Sequence, residues 1–88
     1  MYSKKYRFEK IEQFNRPNYI YLEMEGRVCY PAYLKVGERG WILYEREDGP
    51  GGWPHWLNTS PIKDVEILSD RTLVITTQNT RLTLAVIE

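Results

Sequence analysis

The C-terminal third of the chain alternates between apolar and polar residues more regularly than any other part. Residues 72–78 read TLVITTQ, and residues 81–87 read RLTLAVI. This period of two is typical of β-strands with one buried face. Asn79 and Thr80 lie between the two segments and suit a two-residue hairpin turn, because asparagine tolerates positive φ. The sequence predicts a C-terminal hairpin region over residues 62–87, with a third strand if residues 62–68 also pair.

Three segments upstream have similar alternation. They are YIYLEME at residues 19–25, a set spaced by two over residues 28–36, and WILYERE at residues 41–47. Pro31 lies inside the second segment and cannot donate to a sheet, so an edge strand or a bulge is expected there. Five or six short strands at near-regular spacing predict a single mainly β domain over residues 1–88, a small partly open β-barrel or β-roll.

The N-terminal segment, residues 1–18, is compatible with more than one structure. Phe8, Ile11 and Phe14 are spaced by three, which suits one face of a short N-terminal helix. Residues 6–9 alternate like a strand. The sequence leaves helix, strand and a disordered arm open.

A Gly/Pro/Trp loop is predicted at residues 48–63, DGPGGWPHWLNTSPIK, which holds two of the three tryptophans and the only histidine. Such a connection is longer than usual, and long loops are often functional. Two indole rings are large apolar groups, so the loop either closes one end of the barrel or presents the rings to a partner. The candidate binding residues are the apolar anchors Trp53, Trp56, Trp41 and Tyr44, with His55 as a polar edge.

The charge of the chain is balanced, with 12 basic and 12 acidic residues. A net basic footprint for duplex DNA is therefore absent. The basic groups are nevertheless concentrated in residues 1–18, a pattern of either a solvated segment or a contact with an anionic partner. The alternative function that follows is single-stranded nucleic-acid binding, with bases stacked on the aromatic rings. Its candidate cations are Lys4, Lys5, Arg7 and Lys10.

Residue types that carry catalysis are scarce. One cysteine and one histidine cannot form a structural zinc site within one chain. No nucleophile elbow or phosphate loop is present, so we expect no catalytic residues, no metal and no cofactor, and a protein that is not an enzyme. Cys29 cannot form an intrachain disulfide, which favours a reducing cytoplasm. No signal peptide or apolar run of membrane length is recognisable, so no membrane partner is expected.

Three short stretches together resemble small uncharacterised bacterial and phage-associated β-rich proteins: GERG at 37–40, TSPIK at 59–63 and TTQNTRLTL at 76–84. In those proteins a Thr-Ser-Pro-Ile/Val corner precedes a C-terminal β-hairpin. The resemblance implies a β-roll and no activity.

Three functions remain as hypotheses. The first is binding of a protein or peptide, including self-association as a homodimer. The others are single-stranded nucleic-acid binding and a structural role in a phage-type assembly.

Overall fold

A computed structural model of the chain describes residues 5–15, 21, 24–45 and 55–87. In these ranges the chain forms six strands: β1 (Tyr6–Gln13), β2 (Val28–Tyr33), β3 (Arg39–Tyr44), β4 (His55–Ser69), β5 (Thr72–Thr77) and β6 (Thr80–Val86). Each strand is antiparallel to its neighbours in sequence, and β1 also pairs with β6. The predicted mainly β barrel of five or six strands is confirmed. Its ring is closed rather than partly open.

The core lies inside this ring and is built from alternate residues of the strands. Fully inaccessible apolar side chains come from β1, β2, β3, β5 and β6: Phe8, Cys29, Ile42, Ile75, Leu82 and Leu84. Burying one large apolar side chain stabilises a fold by roughly 1.5–3 kcal/mol. The alternation of apolar and polar residues that predicted the C-terminal hairpin therefore reflects which side chains of each strand fill the core.

The N-terminal segment is a strand, so the helix interpretation is wrong for Tyr6–Gln13. Phe8 pairs with Leu84 and Ile11 pairs with Leu82, across a β-bulge that follows Phe8. The bulge inserts one extra residue into β1. Phe8 and Ile11 are therefore three residues apart on β1, although their partners on β6 are only two apart. This difference explains the helix-like spacing of the core residues in β1.

The strand β2 has a bulge beside its proline, as predicted. Pro31 pairs with Ile42, and the register shifts directly after it. Cys29 and Pro31 face the interior, while Tyr30 is only partly covered and Ala32 is exposed. The strand is shorter than predicted from residues 28–36, because the register shift and a turn follow it.

The strand predicted at residues 19–25 is not found where the structure describes that segment. Tyr21 has helical backbone, and Met24 begins a turn in which its N–H donates to the Tyr21 carbonyl at 3.3 Å. Gly26, with φ of +86°, lies in the same turn. The side chains of Tyr21 and Met24 are both buried in the core. The rest of the predicted strand lies outside the described residues.

The predicted loop at residues 48–63 is wrong from His55 onward, because β4 begins there. Leu57 pairs with Ile42 of β3 and faces the core, while Trp56 faces outward. After Pro61 the strand leaves β3 and pairs with β5 instead. Residues 48–54 lie outside the described residues. The high Gly and Pro content of residues 48–63 predicted a loop, whereas the part from His55 onward belongs to a strand that pairs with both β3 and β5.

The β5–β6 hairpin turns at Gln78 and Asn79, one residue earlier than predicted. Asn79 does not have positive φ. Instead, the Thr77 hydroxyl oxygen accepts hydrogen bonds from the backbone N–H groups of Asn79 (3.2 Å) and Thr80 (3.0 Å). The buried Thr77 side chain thus organises the turn. The side-chain amide of Asn79 takes no part in these bonds and can contact residues outside the turn.

Gly40 in β3 allows a close approach between β3 and β4. Its N–H donates to the Thr59 hydroxyl oxygen at 2.8 Å. A Cβ atom on this residue would lie 2.9 Å from Ile62 Cδ1 and 3.1 Å from Thr59 Oγ1. A larger residue would therefore require the Ile62 side chain to shift and would crowd the Thr59 hydroxyl.

Candidate binding surface

Three aromatic side chains lie together on the outer face of neighbouring strands. Tyr33 of β2 pairs with Trp41 of β3, and Trp56 of β4 is diagonal to Trp41. The two indole rings are 6.0 Å apart between centroids, with an interplanar angle of 84°. We call Tyr33, Trp41 and Trp56, together with Ala32, the aromatic patch.

The aromatic patch faces outward because of strand alternation. Ile42 and Leu57 are the neighbours of Trp41 and Trp56 in sequence and fill the core, so the indoles point away from it. Tyr33, Trp41 and Trp56 keep 42%, 42% and 53% of their area exposed. The perpendicular indoles line, with Ala32 and Tyr33, an open and shallow apolar depression of about 360 Å³.

Charged groups at the edge of the aromatic patch are paired. The Tyr33 hydroxyl donates to Glu38 Oε2 at 3.0 Å, and Lys35 Nζ lies 3.2 Å from the same oxygen. The hydrogen bond from Tyr33, followed by that from Lys35, lowers the pKa of Glu38. The bond to Glu38 also raises the pKa of Tyr33. This edge therefore holds the tyrosine ring without adding net charge.

Neither indole N–H of the aromatic patch has a hydrogen-bond partner in the part of the chain that the structure describes. Trp41 and Trp56 contact each other edge to face through their rings. Tryptophan N–H groups usually find an acceptor when they are covered. The aromatic patch therefore offers two hydrogen-bond donors beside its apolar surface.

His55 and Tyr44 do not belong to the aromatic patch. They are paired across β3 and β4, and their rings are 5.9 Å apart between centroids. Tyr44 is 3% exposed and belongs to the core, whereas His55 is exposed. The structure thus brings together Trp41 and Trp56 of the candidate binding residues, while Trp53 lies outside the described residues.

The described candidate cations are Lys5, Arg7 and Lys10, which lie on or beside β1. This strand is three strands from β4 in either direction around the ring, but it pairs with β2, which carries Tyr33 of the aromatic patch. Lys10 is 3.8 Å from Glu12. Lys5 lies near the Tyr30 hydroxyl, whose pKa is raised by burial and by its 2.9 Å hydrogen bond to Glu45 and lowered by Lys5.

Arg7 is exposed, and Lys4 lies outside the described residues. None of these described cations is among the residues that line the aromatic patch.

A second, polar pocket of about 320 Å³ lies at one mouth of the barrel. Its lining comes from β1, β3, β4 and the β5–β6 turn, with Tyr21 beside them: Gln13, Asn15, Tyr21, Arg39, Asn58, Ser60, Asn79 and Thr80. We call it the polar pocket. Arg39 is the only charged residue among these lining side chains.

The wall of the polar pocket is held by the Asn79 side chain. Its Nδ2 donates to Ser60 Oγ at 2.7 Å, and its Oδ1 accepts from Asn15 Nδ2 at 2.8 Å. The Phe14 N–H also donates to the Asn79 carbonyl at 2.9 Å. These contacts join β1, β4 and the hairpin turn, so the wall is fixed without a ligand.

Arg39 and Asn58 of the polar pocket have hydrogen-bonding groups without a partner among the described residues. One guanidinium nitrogen of Arg39 donates to the Thr59 carbonyl at 3.3 Å. No other partner of this guanidinium, and none of the Asn58 side chain, occurs among the described residues. Since an arginine carries five N–H donors, most of those of Arg39 are available.

The described residues offer little support for a cysteine nucleophile, a metal site or a membrane-spanning helix. Cys29 is a free, buried cysteine, and burial raises the pKa of its thiol to about 12. A thiol with that pKa is a poor nucleophile. No group of three or more metal-ligating side chains occurs in the described ranges. There is also no helix in those ranges that is long and apolar enough to cross a bilayer.

A scan against protein-family models, a search of curated proteins and a search of solved structures each found no match for this chain.

Sequence reasoning missed two parts of these sites. Tyr33 and Ala32 join the aromatic patch because the bulge after Pro31 turns both toward Trp41. Proline in a strand predicts a bulge but not which side chain it exposes. The polar pocket is assembled from segments far apart in sequence, so no local pattern indicates it.

Proposed function

We propose that the protein binds an extended, proline-rich peptide segment of another protein on the aromatic patch. The observation that supports this most directly is the perpendicular pair of exposed indoles, Trp41 and Trp56, beside Tyr33. Aromatic grooves of this kind suit segments in the polyproline II conformation, whose pyrrolidine rings pack flat on aromatic faces.

Hydrogen bonding points to the same class of ligand. A polyproline II segment has no internal hydrogen bonds, so its carbonyl groups need external donors. The indole N–H groups of Trp41 and Trp56, which have no acceptor among the described residues, are such donors. Because the segment is already ordered before binding, little conformational entropy is lost.

Area favours a peptide over a second copy of the chain. The three exposed fractions leave about 300 Å² of aromatic surface, taking about 200 Å² for each side chain. A standard dimer interface buries roughly 800 Å² on each partner. The aromatic patch alone is too small for a stable homodimer but is sufficient for a short peptide.

Charge favours a peptide over single-stranded nucleic acid. Nucleic-acid sites combine stacking rings with cations that follow the backbone. Here Lys35 at the edge of the aromatic patch is paired with Glu38, and Lys10 of β1 lies beside Glu12. A cytoplasmic location suits the buried reduced Cys29 and is part of this proposal.

The test is a titration of the intact protein with a synthetic proline-rich peptide, followed by tryptophan fluorescence. We expect a saturable shift, and loss of affinity by about tenfold or more in Trp41→Ala and in Trp56→Ala, as for aromatic hot spots. Ile67→Ala is the matched control, since Ile67 is an exposed apolar residue on the same strand as Trp56. It should keep the affinity.

Other outcomes would contradict the proposal. An oligonucleotide that quenches tryptophan fluorescence when the proline-rich peptide does not would favour the nucleic-acid alternative. Light scattering that detects a dimer, lost in Trp41→Ala, would favour self-association. Equal peptide affinity in Trp41→Ala and wild type would remove the aromatic patch from the function.

A further inference from the structure

We propose that the polar pocket receives a carboxylate group of the bound peptide, with Arg39 as its counter-ion. This inference rests on the proposed function, because it assigns a second contact to the same peptide. The polar pocket, at one mouth of the barrel, borders the aromatic patch on the outer face. Asn58 at the rim of the polar pocket is the register partner of Trp41.

The charge of the polar pocket selects an anion. Its eight described lining residues include one cation, Arg39, and no carboxylate. The ion pairs among the described residues do not include Arg39. An arginine fork with free N–H donors binds oxyanions with directional hydrogen bonds.

Charge balance favours a carboxylate over a phosphate. One carboxylate carries a single negative charge, which Arg39 neutralises. A phosphate monoester carries about −1.5 to −2 at pH 7. It would remain partly uncompensated, because the rest of the described lining is neutral.

The hydrogen-bonding groups of the lining can complete the site. The Asn58 side-chain amide has donors without a partner in the described ranges, and it lies in the same pocket as Arg39. The contacts of Asn79 with Ser60 and Asn15 hold the opposite wall in place. A fixed wall lowers the cost of ordering side chains around the ligand.

The size of the polar pocket limits the ligand. Its volume of about 320 Å³ is at the small end of ligand sites, which span roughly 300–1,000 Å³. It can accept one acidic side chain or one chain terminus rather than a further length of peptide. Both sources supply the same chemical group.

The spacing between the two contacts can be derived from the strand. Arg39 and Trp41 are two residues apart on β3, with a register shift between them, so they are at most roughly 6.6 Å apart along the strand. A polyproline II segment rises about 3.1 Å per residue. The carboxylate should therefore follow the proline that packs on Trp41 by about two residues.

The experiment compares four peptides that share one proline-rich sequence. Two carry Asp or Asn two residues beyond the last proline and end in an amide. The other two carry neither and end at that position in a free carboxylate or an amide. Wild-type protein should prefer the acidic member of one pair by about fivefold to tenfold, the range for a charge-assisted contact of an exposed arginine. The pair in which the preference occurs identifies the source of the carboxylate.

Variants separate this inference from the proposed function. Arg39→Gln should abolish the preference while keeping the affinity for the neutral peptides. Arg71→Gln is the matched control, because it removes an equal charge from the β4–β5 turn at the other end of β5, and it should keep the preference. Equal binding of acidic and neutral peptides by wild type, or a preference that survives in Arg39→Gln, would overturn the inference.

A second measurement tests the carboxylate site of the polar pocket even if no peptide binds. Sodium acetate, added to the protein alone at constant ionic strength, should shift the Asn58 side-chain amide resonances in an NMR spectrum. Arg39→Gln should remove that shift and Arg71→Gln should not. Tighter binding of inorganic phosphate than of acetate, or shifts spread evenly over the surface, would contradict a carboxylate site.

Discussion

Replacing Thr77 with valine should destabilise the protein because one buried hydroxyl organises the β5–β6 turn. Thr77 is 1% exposed. Its hydroxyl oxygen accepts from the N–H groups of Asn79 and Thr80 and lies 2.8 Å from the Thr80 hydroxyl. Valine has nearly the same shape, so the change removes hydrogen bonds without leaving a cavity.

The size of the effect follows from which groups lose a partner. The Thr80 N–H is buried and cannot reach water easily, so leaving it unpaired costs about 1–3 kcal/mol. The Asn79 N–H is only partly buried and can be hydrated, so its loss costs about 0.5–1 kcal/mol. Together we expect Thr77→Val to lower the free energy of unfolding by about 1.5–4 kcal/mol. For a chain of this length that lowers Tm by roughly 6–30 °C.

The assay is urea unfolding followed by circular dichroism, with thermal unfolding as a second measurement. The midpoint should fall while the slope m stays constant, because the surface exposed on unfolding is unchanged. Thr76→Val is the matched control. Thr76 precedes Thr77 on β5, is partly exposed and has no side-chain hydrogen bond among the described residues.

The same substitution at Thr76 should change stability by less than about 0.5 kcal/mol, as is usual at surface positions. If Thr77→Val were no more destabilising than Thr76→Val, the hydroxyl would not organise the turn. The account of how Asn79 is positioned in the polar pocket would then also be wrong.

Two further predictions concern the core. Gly40→Ala places a Cβ atom 2.9 Å from Ile62 Cδ1 and should lower the free energy of unfolding by about 1–3 kcal/mol. Ile62→Val removes that atom, so the double variant should lose less than the sum of the two single changes in urea unfolding; strict additivity would contradict the clash. Burial raises the pKa of the Cys29 thiol to about 12, whereas an unfolded thiol ionises near 8.5. The contribution of the buried Cys29 thiol to the free energy of unfolding is therefore complete below about pH 8.5. It is lost as pH rises toward 12, by at most about 1.4 kcal/mol per pH unit. Wild type should lose more stability than Cys29→Ala between pH 8 and pH 10, and iodoacetamide should label the thiol at pH 8 only in urea; labelling of the folded protein at the unfolded rate would refute its burial.

The class of fold could be predicted because core filling leaves a regular trace in the C-terminal strands. Leu82 and Leu84 are spaced by two and both are completely buried. The same logic failed at β1, where the bulge after Phe8 changes the spacing of core residues from two to three. A bulge depends on the pairing partner, so the spacing within β1 alone could not distinguish it from a helix.

The candidate site was predicted only in part. Trp41 and Trp56 are 15 residues apart, and nothing local indicates that their rings meet. They meet because β3 and β4 pair in a register that makes the two positions diagonal neighbours on the outer face. Residue type alone made Tyr44 and His55 equally good candidates for the binding site, but strand alternation directs Tyr44 into the core.

The amino-acid sequence by itself determined a mainly β chain with a C-terminal hairpin, because alternation records which residues of a strand face a core. Closure of the ring, the meeting of the two indoles and the assembly of the polar pocket were decided only by tertiary structure. Each depends on the register between strands, and register is set by bulges and turns such as those at Phe8, Pro31 and Asn79. A shift of one residue turns a whole strand face inside out, so local pattern cannot specify which side chains meet on the surface.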